Sequence, residues 1–386
     1  MDKVVVAFPL LKLIRSTDLS FLKPNWEMRL YRIIDKTSSV QLAKQIAEAA
    51  SRKGADVSAE PNLTTTLPKG GGVMGSPGSP PLSGNGAIPD PQWSSTDIGV
   101  NLPRGLNLNE GSRVMVGIFD TCPQVKPTWI QTMYANYLTG GAAPTNGNYS
   151  EHGPSVGALI KRVVSLANNA PQLAPKLDLY CVLGLDGTGN VADLIAALGA
   201  FITNTTGRGV INLSLRVMLA SKLLERTLDA ANGKNFVIAA AAGNESTQTA
   251  AAPMNYPANY QSWMIGVAGS NYARRRSDFS NQGKVAAPAG GVTKSETDLT
   301  CTSTTHVFIV TPLSTSSTGF LCWQGTSFAT AFVSGEAALI LSKNLNLSAD
   351  SVRNIIYTKT GHATAPPDPM DPNLGAGIIN ITGALQ

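Results

Sequence analysis

The chain has 386 residues, of which 43% are hydrophobic and 14% charged, a balance that supports a packed core and excludes a disordered chain. Its net charge of +5 is modest, its basic residues are dispersed, and the one dense run, Arg274-Arg275-Arg276, reads as a solvated loop. No stretch reaches the roughly 18 apolar residues of a membrane span, so neither nucleic acid nor membrane is expected as a partner.

In chain order, residues 1–65 read as a small α+β unit. Met1-Asp2-Lys3 and the apolar residues 4–11 come nearest to a secretory signal, yet the start is not net positive and no small-residue cleavage site follows. Residues 4–8 therefore read as a strand, which leaves a cytoplasmic and an exported location both open. A second strand is expected at about residues 28–34. The helix opened by Ser38-Ser39 follows, with Val40, Ala43, Ala47 and Ala50 on one side and a close at Gly54. Residues 66–95 are rich in Pro, Gly and Ser, cannot bury a core, and read as a flexible, cleavable linker.

From residue 96 to 386, strand-like runs alternate with helical ones. Strands are expected at 114–119, 177–184, 210–215, 236–242 and 263–268, and helices at 153–168, 191–204 and 218–232. Near-continuous apolar strands separated by helices predict an α/β fold, a parallel sheet with helices on both faces. Residues 326–341 are apolar almost all round, as a buried central helix would be. A last helix should run from Ser348, as its N-cap, to about Thr360, with Gly361 beyond its end. Gly187-Thr188-Gly189-Asn190 resembles a dinucleotide fingerprint, but no acidic residue stands about 20 positions later, so it reads as a substrate-binding edge loop. The four cysteines lack metal-ligand spacing, and zinc is not expected. Cys301 and Cys322 either pair or stay as buried thiols. A free thiol at Cys122, two residues after Asp120, would make the site sensitive to mercurials.

Of only three histidines, His152 stands in Glu151-His152-Gly153. It lies between Asp120, at the end of an apolar strand, and Ser327, in Gly325-Thr326-Ser327-Phe328-Ala329-Thr330. A serine hydroxyl is a weak nucleophile until a base takes its proton, and the base needs an orienting carboxylate. Ser327 opens the buried helix, whose N-terminus favours developing negative charge. Asp120 ends a strand, and ligands of open α/β sheets bind beyond the strands' carboxyl ends. Asn244 closes an alanine-rich strand and offers an amide to an oxyanion.

Together these motifs resemble the subtilisin-like serine peptidases (the subtilase family, peptidase S8). Residues 116–121 resemble the family's Asp motif and His152-Gly153 its His motif, while Ile211-Asn212-Leu213-Ser214-Leu215 resembles its substrate-cradling strand. Ala241-Ala242-Gly243-Asn244 resembles the oxyanion segment, and residues 325–330 with Val333-Ser334-Gly335 the nucleophile motif. The resemblance covers residues 96–386 and implies a serine endopeptidase that hydrolyses peptide bonds of a polypeptide substrate through an acyl-enzyme. It implies that Asp120 orients His152, that His152 is general base and then acid, and that Ser327 attacks, with Asn244 in the oxyanion hole. Ser214, Leu215 and Arg216 with Ala241, Ala242 and Gly243 would line the pocket for the residue before the cut. Residues 55–62 resemble the closing strand of the family's propeptide, so the first unit would be an intramolecular inhibitor; an accessory domain is the other reading. No cofactor is required, and although calcium often stabilises the family, no acidic cluster marks a site.

Some positions depart from the family pattern. Pro154-Ser155 follows His152-Gly153, and Ala331-Phe332 follows Thr330. Arg216 stands where glycine is usual, which predicts a pocket that is partly closed or suited to acidic or small residues. The alternative from another class is a catalytically inactive, subtilase-fold binding protein.

Overall fold

The computed structural model describes residues 11–23, 26–33, 38–52, 59–67, 73–74, 93–99, 113–138, 148–167, 174–292, 306–307, 309–312, 320–361 and 371–386. The strand expected at 4–8, the helix close at Gly54, Cys301 and most of the 66–95 linker lie outside them. The N-terminal region contributes β1 (Leu11–Asp18), β2 (Glu27–Ile33), helix α1 (Ser39–Arg52) and β3 (Thr64–Thr66). After β4 (Val73–Met74) and α2 (Trp93–Asp97) come β5 (Val114–Thr121), β6 (Thr132–Tyr134), α3 (His152–Ala167), β7 (Lys176–Leu183) and β8 (Thr188–Asn190). Next are α4 (Val191–Asn204), β9 (Arg208–Leu213), β10 (Arg216–Val217), α5 (Lys222–Gly233), β11 (Val237–Ala241) and β12 (Ile265–Ser270). The chain closes with β13 (Val285–Pro288), β14 (Gly291–Val292), β15 (His306–Val307), β16 (Ile309–Pro312), β17 (Phe320–Trp323), α6 (Thr326–Lys343), α7 (Ala349–Thr358) and α8 (Ile381–Ala384).

The main sheet runs β10-β3-β8-β7-β5-β9-β11-β12-β13, with β6 beside β7. From β7 to β13 every pairing is parallel. Alternate residues of one strand serve two cores, as the two-residue repeat of a strand requires. Val114, Val116 and Ile118 of β5 pack with α3, α6 and α7, whereas Phe119 packs on the other face with α4 and α5. The same division holds in β11, where Val237 and Ala239 face one core and Ile238 and Ala240 the other. Because both faces are covered, these strands are apolar throughout, which is why they stand out in the sequence. The result is an α/β fold, a parallel sheet clad on both sides, preceded by a small N-terminal sheet region.

The helix starts follow local chemistry. Asn190, Ser221 and Ser348 each accept a hydrogen bond from a backbone N–H of the first turn of α4, α5 and α7. Nearly every residue of α6 is buried, as its apolar circumference predicts. Among the described residues no helix is long and apolar enough to cross a membrane.

The Arg274-Arg275-Arg276 run departs from the solvated loop expected of it. Arg276 is buried, and its guanidinium donates to the carbonyls of Ser277, Asp278, Ser280, Thr247 and Gln248. Arg274 adopts a positive φ of 60° and pairs with Asp97. Buried carbonyls need donors, and a guanidinium supplies several at once.

Glu336, midway along α6, is fully buried, and neither carboxylate oxygen has a hydrogen-bond partner. Burial pushes its carboxyl up to about 8. Below the ordinary carboxylate range it is neutral in both folded and unfolded chains. As pH rises toward 8 the unfolded chain ionises while the folded one keeps its proton, so stability falls across that window and levels off above it. In an autolysis-free Ser327→Ala background, Glu336→Gln should therefore raise the melting temperature by several degrees at pH 8 and by nothing near pH 4, as read by calorimetry.

Candidate active site

The site begins where the end of β5 meets the start of α3. Asp120 is the penultimate residue of β5, and its Oδ1 lies 2.8 Å from His152 Nδ1. The same oxygen accepts the Thr121 backbone N–H at 2.7 Å. A carboxylate can only accept, so Nδ1 carries the proton and Nε2 is left as the basic nitrogen. Nε2 is buried and has no hydrogen-bond partner among the described residues. The Thr121 hydroxyl ties the two elements together, donating to the carbonyl of Tyr149 and accepting the Gly153 N–H. At residue 153 only glycine fits, because a Cβ there would lie 2.2 Å from the Thr121 carbonyl oxygen. The imidazole is walled by Phe328, 5.2 Å between ring centroids, and edge-on by Trp323 at 5.7 Å.

Ser327 is the second residue of α6. Its hydroxyl donates to the Ser214 carbonyl at 3.2 Å, and its own carbonyl accepts the Ser214 hydroxyl at 2.8 Å. Asn212 donates to Ser214 Oγ and accepts from Ser334 Oγ, which fixes the end of β9 against α6. Asn244 Oδ1 accepts the N–H and the hydroxyl of Thr326 at 3.0 and 2.9 Å. Those two donors settle which end of the amide is oxygen, and Nδ2 is buried with no partner among the described residues. Asp120, His152 and Ser327 are 0% exposed and Asn244 6%.

The remaining sequence-selected residues surround this centre. Ala241 and Ala242 are fully buried at the end of β11, and Leu215 packs into a core, leaving only its backbone for the cleft. Gly243 takes φ 113°, and a Cβ there would collide with Glu245, Asn255 and Asn281. Arg216 Nη1 forms an ion pair with Glu245 Oε1 at 2.9 Å, so the cation at the pocket rim does not stand alone. Sequence reasoning overlooked Glu245, although it follows Asn244 directly. Thr121 and Thr326 were overlooked too, for threonine carries no chemical signature of its own.

An added strand fills the edge of the sheet beside the site. The expected closing strand at 55–62 falls partly outside the described residues, and the strand found is β3, Thr64–Thr66, across the boundary placed after residue 65. It is antiparallel to both β8 and β10. The Leu67 N–H continues the ladder to the Gly187 carbonyl at 3.0 Å. Upstream, Asn62 Oδ1 accepts the Ala192 N–H at the start of α4. Glu60 accepts the N–H groups of Lys222 and Leu223 and the Ser221 hydroxyl at the start of α5. Both side chains satisfy donors that helix starts leave open.

Cys122 is not a thiol but is bonded to Cys181, opposite Asp120 on β7. Cys322 is disulfide-bonded as well. Among the described residues no group of three or more His, Cys, Asp or Glu is placed together as a metal-ligand cluster.

Comparison with known proteins gives a consistent picture. The model of the subtilase family matches residues 111–377. Subtilisin DY of Bacillus licheniformis is 31% identical over 283 residues, 72% of this chain and 92% of that protein. Subtilisin of Bacillus pumilus is 33% identical over 64% of this chain and 84% of its own length. Thermitase of Thermoactinomyces vulgaris is 29% identical over 69% and 89% respectively. As for the cysteines, iodoacetamide should leave Cys122 and Cys181 unmodified in denatured, unreduced protein and label both after reduction, as peptide mass spectrometry would register.

Proposed function

Since the chain belongs to the subtilase family and is a serine endopeptidase, we propose that it cleaves peptide bonds through an acyl-enzyme at Ser327, with His152 and Asp120 as its base pair. The observation that carries this reading is the buried 2.8 Å contact between Asp120 and His152 Nδ1, which leaves Nε2 as the ring's basic nitrogen, with no partner among the described residues. The Ser327 hydroxyl, bonded to the Ser214 carbonyl while β3 fills the sheet edge, turns about its Cα–Cβ bond to give its proton to Nε2. Oγ then attacks the scissile carbonyl carbon. The imidazolium that forms is stabilised by Asp120 and returns the proton to the leaving amine; a water repeats the sequence to release the acid. The carbonyl oxygen becomes an oxyanion in the tetrahedral intermediate. Asn244 Nδ2 and the Ser327 backbone N–H donate to it, and the start of α6 adds a favourable dipole. No step needs a cofactor.

The N-terminal region acts in this reading as an intramolecular inhibitor. β3 occupies the edge between β8 and β10 where an extended polypeptide substrate would bind by strand addition. Thr65 and Thr66 pair with Val217 and Arg216 in turn, so the strand runs toward Ser214, whose carbonyl holds the Ser327 hydroxyl. The bond cut in this reading lies beyond Leu67.

Labelling by a fluorophosphonate probe should occur in the processed protein and vanish in Ser327→Ala; no labelling of processed wild type would overturn the mechanism. Asn244→Ala should lower kcat by about 10²–10³, the loss known for removing such an amide donor from a subtilisin, with KM nearly unchanged. Mass spectrometry should find a new N-terminus within residues 68–75 of the wild type and none in Ser327→Ala. An active enzyme with its N-terminus intact would refute the inhibitory role.

A further inference from the structure

We propose that Arg216 reads the substrate side chain paired with it across β10, selecting residues that accept a hydrogen bond without carrying charge. The proposal rests on the endopeptidase reading and specifies the substrate of that same site. Directly opposed residues in an antiparallel pair project their side chains to the same face. Thr66 opposes Arg216, and Arg216 Nε donates to Thr66 Oγ1 at 3.1 Å. The Thr66 hydroxyl spends its single proton on the Leu67 carbonyl at 3.0 Å, so toward Arg216 it can only accept. A valine has the same shape and offers nothing to Nε.

The guanidinium is held in place from behind. Its Nη1 meets Glu245 Oε1 at 2.9 Å, while Glu245 Oε2 accepts from Asn255 Nδ2 at 2.7 Å and Asn281 Nδ2 at 2.8 Å. Asn281 Oδ1 in turn accepts the Glu245 N–H at 2.9 Å and the Ser246 hydroxyl at 3.0 Å. Both Glu245 oxygens are engaged, and the Arg216 side chain is only 13% exposed. An Nε–H so placed cannot swing into water when the substrate fails to accept from it, and a buried donor left unpaired is penalised. Because Glu245 already neutralises the cation, an acidic substrate residue gains an acceptor but meets the Glu245 carboxylate nearby. The ordering expected at this position is threonine or serine above aspartate, and both above valine.

The test uses processed enzyme and quenched fluorogenic peptides spanning residues 62–72 of the chain, with Thr, Ser, Asp or Val in place of Thr66. The bond cut is identified by mass spectrometry of the products. In wild type, kcat/KM should fall about tenfold from the Thr to the Val peptide. In Arg216→Ala the Thr-to-Val ratio should approach one, whatever the absolute rate. In Glu245→Gln the unpaired cation should lift the Asp peptide above the Thr peptide. Equal Thr and Val rates in wild type would overturn the proposal, and that measurement needs no variant to fold. An unchanged ratio in Arg216→Ala would overturn it too. Failure to cut any peptide, together with absence of fluorophosphonate labelling, would instead strike the catalytic mechanism itself.

Discussion

A methyl group's width separates an organised site from a broken one at Gly153. The backbone there lies so near the Thr121 carbonyl that any Cβ would overlap it. That approach seats the first residue of α3 against the last residues of β5, and the Asp120–His152 hydrogen bond is its result. Thr121 holds the contact from both ends, through the Gly153 N–H and the Tyr149 carbonyl. Ser327 and Asn244 arrive by a different route, Asn244 locked to the start of α6 through Thr326 and Ser327 to the end of β9 through Ser214. The two halves are thus braced independently, and their residues follow the carboxyl ends of neighbouring strands of the parallel sheet, β5, β9 and β11.

The legible parts of the sequence were those where burial leaves a pattern. Strands β5, β7, β9, β11 and β12 are covered on both faces, so their apolar runs are continuous, and α6 is apolar all round for the same reason. The polar residues gathered at the strand ends stood out because nothing apolar explained them. Thr64–Thr66 carries no such pattern. It is a strand only because two edges already formed, β8 and β10, offer it hydrogen bonds, and no local propensity reveals that. The buried role of Arg276 was hidden likewise, since a guanidinium among backbone carbonyls looks in sequence like any surface charge. Glu245 acquires meaning only when folding brings Arg216, Asn255 and Asn281 around it.

Charge is handled in two contrasting ways around this core. Near the cleft, ionised groups are paired and hydrogen-bonded, as Arg216 and Glu245 are, so their burial is compensated. Glu336, inside α6, has neither partner nor solvent, and it is accommodated by staying protonated. One helix therefore carries the serine near its start and an uncompensated carboxyl in its middle. Stability has been given up in an element whose first turn must still be held rigidly. The surrounding packing of Phe328, Phe332 and Leu339 into the larger core bears that burden.

The link between Cys122 and Cys181 spans 59 positions, and everything between them is a closed covalent loop. That loop contains the whole of α3 and therefore His152, while Asp120 stands two residues outside its knot. A ring of this size removes on the order of 4 kcal/mol of chain entropy from the unfolded ensemble. Even a molecule whose sheet has loosened keeps its imidazole tethered within a short reach of the carboxylate it must find again. Recovery of the pair after partial melting is then a local search along a lasso rather than an encounter across a long chain.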